Sequence, residues 1–275
     1  MTSHAVHELP ELCFTPPLET ARWVQFDIGL VRRAGDARLS AQEMFKRVVD
    51  WWEPRAGADQ VHGWFFMRKP PDVRLRILAT AVAQPALSSL AQSLQQAVAD
   101  GVIASSTAGT YHPEVARFGG AAALNLVHAW FMLDSVLWYR FEQIDRQAQR
   151  ALSAGAALAA VFHDLFREVA GDVVAPWHSL ARHVLLDAED HVDAGAPASL
   201  DDLCRAAELG AEERAILAAY RAGNRFFARA LREVSPICST ADIAATTAFF
   251  TFNRHGFPAQ RSAPIVAGVV AGLHR

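Results

Sequence analysis

From residue 23 to about residue 110, apolar and polar positions alternate between two rhythms. Period-two patterning over Trp23–Val31, His62–Arg68, Val73–Ala79 and Val102 to about Thr110 predicts strands. Apolar spacing of three and four residues over Ser40–Trp52 and Leu87–Ala99 predicts helices. The order β-α-β-β-α-β is that of the split βαβ, ferredoxin-like unit, an antiparallel sheet that carries both helices on one face. Ser40 has Glu43 three residues on, the spacing of a capping box, and is expected to open the first helix. Asp100-Gly101 is expected to close the second, and Pro70-Pro71 marks the turn between the middle strands.

After Tyr111 the pattern becomes alanine- and leucine-rich, with helical spacing over Ala121–Arg150, Ala151–Ala170, Pro176–Ala188, Leu200–Leu209, Ala211–Val234 and Ile243–Phe252. The expected fold is α+β, with a ferredoxin-like part over residues 1–115. A mainly helical part over 116–275 is expected to pack on the open sheet face as one compact unit. Asp187–Ser199 reads as the most loop-like interval. From Ala121 to Tyr139, 15 of 19 residues are apolar, close to the length of a membrane span. Asn125, His128, Asp134 and Ser135 interrupt it where polar groups in hydrocarbon are costly, so a buried globular helix is expected.

The 275 residues carry 26 Lys and Arg against 29 Asp and Glu, a net charge of −3 with no concentrated basic run. That argues against a nucleic-acid partner. Cys13, Cys204 and Cys238 are too far apart for a CxxC pair, and a reducing cytoplasm suits them. The N-terminus, MTSHAVHELPELCF, has neither a basic segment nor an apolar run of the secretory kind. No phosphate-cradling glycine loop and no HExxH or GxSxG motif is present, and His178 and His183 stand five apart, off a shared helix face. No metal and no other cofactor is expected.

Chemistry-bearing residues fall in three places. In Val73-Arg74-Leu75-Arg76-Ile77 two arginines share one strand face. They form either a half-solvated strand or a paired guanidinium site fit for a carboxylate or a peptide carbonyl. Upstream, Trp64-Phe65-Phe66-Met67-Arg68-Lys69 reads as a core strand with a polar tip. The second place is Tyr111-His112-Pro113-Glu114-Val115-Ala116-Arg117-Phe118-Gly119-Gly120, four chemically active side chains in seven residues after a strand end. It runs into a helix carrying His128 and the pair Asp134-Ser135. The third, Phe249 to Gly256, contains Asn253-Arg254-His255 and by itself reads as an ordinary helix end.

Together these segments resemble the thiopeptide-type bacteriocin biosynthesis family, which is also the C-terminal elimination domain of lantibiotic dehydratases. The matching residues run from Trp64 through Arg74 and Arg76, from Tyr111 through Pro113-Glu114, Arg117 and Phe118-Gly-Gly120 to Asp134-Ser135, and end at Asn253-Arg254. The resemblance implies a maturation enzyme for ribosomally made precursor peptides. In lantibiotic dehydratases the domain removes glutamate from glutamylated serine or threonine. Thiopeptide relatives instead join two dehydroalanines in a formal [4+2] addition that builds a pyridine and expels the leader peptide.

The resemblance maps the family's arginines onto Arg74, Arg76 and Arg117, expected to line one cleft with Asp134, Ser135, Asn253 and Arg254 as further substrate-binding residues. Tyr111, His112 and Glu114 are the expected proton-transfer residues, with Tyr111 first because it closes the strand. The eliminase pattern has a histidine four residues before the Asn-Arg pair, and this chain has Phe249 there. Phenylalanine neither accepts nor donates a proton. The chain also begins directly with this domain and is too short for the glutamylation domain, so the pyridine-forming branch is expected. A stand-alone eliminase using His112 or His255, and a non-catalytic peptide-binding partner, remain open. The expected partner is the modified precursor peptide, with other maturation enzymes of its pathway. Neither nucleic acid nor a membrane is expected.

Overall fold

The structure, a computed structural model, describes residues 21–56, 60–146, 151–184 and 199–273. The chain divides after Pro113 into two compact units. The first contains β1 (Ala21–Leu30), α1 (Arg38–Trp52), β2 (Val61–Lys69), β3 (Asp72–Thr80), α2 (Gln84–Ala99) and β4 (Ile103–Gly109). Its sheet has the order β2-β3-β1-β4 with every pairing antiparallel. Each strand–helix–strand crossover thus skips one position, as the split βαβ arrangement requires. Alternation sorts the residues by face. Phe45 of α1 packs on Trp64 and Phe66 of β2, with ring centroids 6.1 and 4.5 Å apart. Trp51 Nε1 ties α1 to α2 by donating to the Ala86 carbonyl at 3.0 Å.

The first helix starts two residues before the expected cap. The Asp36 carboxylate accepts from the Arg38 N–H at 2.8 Å. Ser40 lies inside the first turn, where its hydroxyl accepts from Val31 N (3.0 Å) and donates to the Val102 carbonyl (2.6 Å). It therefore fastens the helix to two strand ends instead of capping it. At the end of α2, Gly101 adopts φ +68° while its N–H and that of Val102 return to the last turn.

The second unit opens with a short 3-10 turn (Val115–Phe118). It continues with α3 (Ala121–Arg146), α4 (Ala154–Ala170), α5 (Val174–Val184), α6 (Leu200–Arg205), α7 (Ala211–Glu233), α8 (Thr240–Arg254) and α9 (Ala259–Leu273). Serines cap three of these helices: Ser153, Ser199 and Ser239 accept from Ala156, Asp202 and Asp242 N–H groups at 3.1–3.2 Å. The α6 helix is shorter than expected, and α9 was not expected, since Pro264 stands inside it. Its buried residues Ala263, Val266, Ala267 and Val269 supply the packing that outweighs the missing N–H. The expected loop at 187–199 lies outside the described residues, apart from the capping Ser199.

The segment Ala121–Ile144 is long and apolar enough to cross a membrane by length and composition, and 72% of that window is buried within the fold. Trp130 and Phe141 within the segment, and Phe162, Phe227 and Phe252 on other helices, are all under 2% exposed. Each contributes on the order of 2–3 kcal/mol of burial. Asn224 of α7 sits among them, accepting from Trp130 Nε1 (3.0 Å) and donating to the Val161 carbonyl (3.1 Å) and Asp164 Oδ2 (2.9 Å).

Candidate active site

Arg74 and Arg76 owe their placement to strand register. In the β1–β3 ladder Gln25 stands opposite Arg76 and Asp27 opposite Arg74, while β2 sets Phe65 beside Arg76 and Met67 beside Arg74. Cross-strand partners share a face. Since α1 packs on Trp64 and Phe66, which alternate with Phe65 and Met67, the arginines occupy the face opposite that helix. Arg76 Nε donates to Gln25 Oε1 at 2.9 Å, Gln25 Nε2 donates to Asp27 Oδ1 at 2.8 Å, and the same oxygen lies 3.9 Å from Arg74 Nε. The result is a polar chain of cation, amide, carboxylate and cation. Gly109 of β4, opposite Gln25, makes room for it, because a Cβ there would meet Asp27 Oδ2 at 2.6 Å. The Arg76 guanidinium lies 3.9 Å from the Tyr111 ring centroid and 5.3 Å from that of Phe65. Such stacking orients the planar fork. Arg74 retains 35% of its side-chain exposure, whereas Arg76 is buried.

The second group surrounds the 3-10 turn of the helical unit. Arg117 Nη1 pairs with Glu114 Oε2 at 3.2 Å, and its guanidinium lies 5.5 Å from the Phe250 ring centroid. Gly119 takes φ +75° with Cys238 N and Pro236 Cβ only 3.1 Å from where a Cβ would stand. Its carbonyl accepts from Ile237 N at 2.9 Å, holding the turn to the segment before α8. One helix face further on, the His183 ring at the end of α5 packs on Phe249, with centroids 5.4 Å apart. Partial burial lowers the His183 pKa, as do Arg182 and Arg117, against the opposing pull of Asp242. Asp242 is held low by the hydroxyls of Ser179 and Ser239, each donating at 2.7 Å.

The third group is interior. Asp134 accepts from the Tyr220 hydroxyl at 2.9 Å, lies 3.2 Å from Arg254 Nη2, and has His255 Nε2 at 2.9 and 3.0 Å from its two oxygens. Arg254 also donates to the Phe131 carbonyl (2.9 Å) and to Ser135 Oγ. Neither Asp134 nor Arg254 has any exposed side-chain surface. Burial alone would raise the Asp134 carboxyl, but His255, Arg254 and Tyr220 carry it below the ordinary carboxylate range. Burial lowers His255 against the opposing pull of Asp134, whose carboxylate accepts from its Nε2–H. The same burial, with Asp134 beside it, pushes the Tyr220 phenol well up. An aromatic chain joins this interior to the turn. Arg254 lies over Phe131 (4.6 Å), Phe131 meets Phe118 (6.4 Å), and Phe118 meets Phe250 (5.6 Å), the ring under Arg117.

The model of the lantibiotic biosynthesis dehydratase C-terminal family matches residues 23–265. The chain belongs to that family. A search of curated proteins found no match. The crystal structure of the tRNA-dependent lantibiotic dehydratase MibB from Microbispora sp. 107891 is similar in fold, with a TM-score of 0.64 at 21% identity. The match covers 94% of this chain and 28% of MibB, so the chain spans less than a third of that protein's length.

Within this dehydratase C-terminal domain the expected site residues fall into three groups. Arg74, Arg76 and Tyr111 share the sheet unit, Glu114 and Arg117 the turn, and Asp134, Ser135 and Arg254 the interior. Asn253 is half-buried next to the last group, and His112 is exposed beyond the last strand. Sequence reasoning missed Gln25 and Asp27, although their polar alternation in β1 was a usable signal. It also missed Tyr220 and His183, whose proximity to the rest depends on helix packing. Among the described residues no cluster of three or more His, Cys, Asp or Glu is placed to hold a metal ion.

Proposed function

We propose that this protein matures a ribosomally made precursor peptide, joining two dehydroalanines into a six-membered nitrogen ring by formal [4+2] addition. The observation that carries the reading is the Arg76–Tyr111 pair, a guanidinium stacked on a phenol ring and oriented by Gln25. In this reading Arg74 and Arg76 polarise substrate amide carbonyls while Tyr111 moves a proton as one amide takes its imidic form. Two C–C bonds then close the ring. Water leaves, and the C–N bond to the second dehydroalanine breaks, so the leader departs as an amide and the ring becomes a pyridine. Holding the two alkenes together supplies much of the acceleration, about 7–11 kcal/mol in the best intramolecular cases. On the helical unit Arg117, with Glu114 as its partner, offers the peptide a contact of its own, and Asp134, Ser135 and Arg254 help fix Phe131, Phe118 and Phe250 beneath it. Asn253 is a further substrate-binding candidate on the same helix as Arg254.

A second reading, glutamate elimination from glutamylated serine or threonine, is favoured by one observation: the imidazole of His183 packs against Phe249. One experiment separates the two. Purified protein is incubated with dehydrated precursor and, separately, with glutamylated precursor, and the products are weighed by mass spectrometry. Release of a leader amide with a cyclised core supports the first reading. Loss of the glutamyl group supports the second. Unchanged masses in both reactions overturn both and leave a peptide-binding partner.

A further inference from the structure

We infer that His183 is an acid–base residue of this protein, exchanging a proton with the peptide at the face formed by the Val115–Phe118 turn, the end of α5 and the adjoining side of α8. The inference rests on reading the chain as a peptide-maturation enzyme and adds a residue to that reading.

A working base must be accessible, fixed and uncharged, and must stand near a cation that stabilises the anion it creates. His183 is exposed, and the Phe249 ring holds its plane at a tilt of 32°. Three charged groups act on it from the surrounding elements: Arg182 on its own helix, Arg117 from the turn, and Asp242 from α8. The two guanidiniums disfavour an imidazolium. Asp242, the group that would favour one, is already engaged by two serine hydroxyls and lies 3.6 Å from Arg182. Arg117 keeps 55% of its side-chain exposure, so it can meet the same peptide group. On the cyclised adduct the imidazole takes the ring C–H proton next to the carbon that carries the leader; the C–H electrons form the ring double bond, the C–N bond breaks, and the leader amide leaves with that proton. On a glutamylated serine it takes the α-proton. The C–H electrons form the Cα–Cβ double bond, the Cβ–O bond breaks, and the glutamyl carboxylate leaves.

The test compares the full-length protein with His183→Ala and His183→Gln on whichever substrate the wild type converts. Turnover should fall about 100-fold or more in both variants, the range for loss of a general base. Thermal midpoints should stay within a degree or two because the side chain is exposed. The acid limb of the kcat/KM profile should disappear, and added imidazole should restore part of the activity of His183→Ala. Variants that keep wild-type turnover and the acid limb overturn the assignment while the parent reading stands. A wild-type protein that converts neither substrate overturns both.

Discussion

The guanidinium of Arg76 and the ring of Tyr111 face one another at 3.9 Å, bringing the third strand and the end of the fourth into one polar site. Tyr111→Phe keeps that stacking and removes only the hydroxyl. Turnover is expected to fall about 100-fold with an unchanged melting temperature. Full activity in the variant would remove Tyr111 from the mechanism.

The two strand arginines should respond differently. Arg74→Ala removes a side chain that is one-third exposed, so activity should drop with little change in stability. Arg76→Ala strands the buried Gln25 Oε1, which costs about 1–3 kcal/mol in addition to activity. Steady-state rates and urea midpoints for both variants check the contrast.

Gly109→Ala places a methyl 2.6 Å from Asp27 Oδ2 and 2.8 Å from Gln25 Nε2. Overpacking of this kind costs about 1–3 kcal/mol and should break the Arg76–Gln25–Asp27 chain. Lower activity toward the peptide, with the far-ultraviolet dichroism spectrum intact, is the expected result.

Removing one member of the interior ion group should cost more than removing both ends. Asp134→Ala leaves Arg254 without its carboxylate and is expected to destabilise the protein by about 3–5 kcal/mol. The double variant Asp134→Leu, Arg254→Met should recover part of that loss in chemical denaturation, with the remainder set by Tyr220 and His255, which still lack their acceptor.

Stability should fall in two steps on acidification. His255 and His163 are held below the ordinary imidazole value of 6.5, chiefly by burial. The unfolded chain therefore takes up their protons first, and stability is lost as pH falls from about 6.5 towards the folded values. Asp134 lies below its ordinary 3.8, so its contribution is lost only under more acid conditions. His163→Gln should shrink the first step and leave the second.

Turnover on dehydrated precursor should survive EDTA and nuclease and need no added tRNA or glutamate. Loss of activity under either treatment would require a cofactor that the proposed mechanism does not include.

The strands were readable because Val24, Phe26 and Ile28, like Val73, Leu75 and Ile77, alternate with polar residues. Alternation alone also put Arg74 and Arg76 on one face. It did not give their partners, because Gln25 and Asp27 meet them only through the β1–β3 register. The first helix began early because Asp36 competed successfully for the free N–H, and α9 was hidden by Pro264. The clustering of Tyr220, Asp134 and His255, or of His183 and Phe249, is set by helix crossings that no local spacing records.

Asn224 works as a register key for three helices. Its amide reaches Trp130 on one helix and Val161 and Asp164 on another, so a slide of one turn by its own helix would break all three bonds, and a slide by either neighbour would break that neighbour's share. Hydrophobic packing alone tolerates such slips, since one leucine face resembles the next. The key thus favours one alignment of those three helices, and the loops between them inherit it without having to encode it.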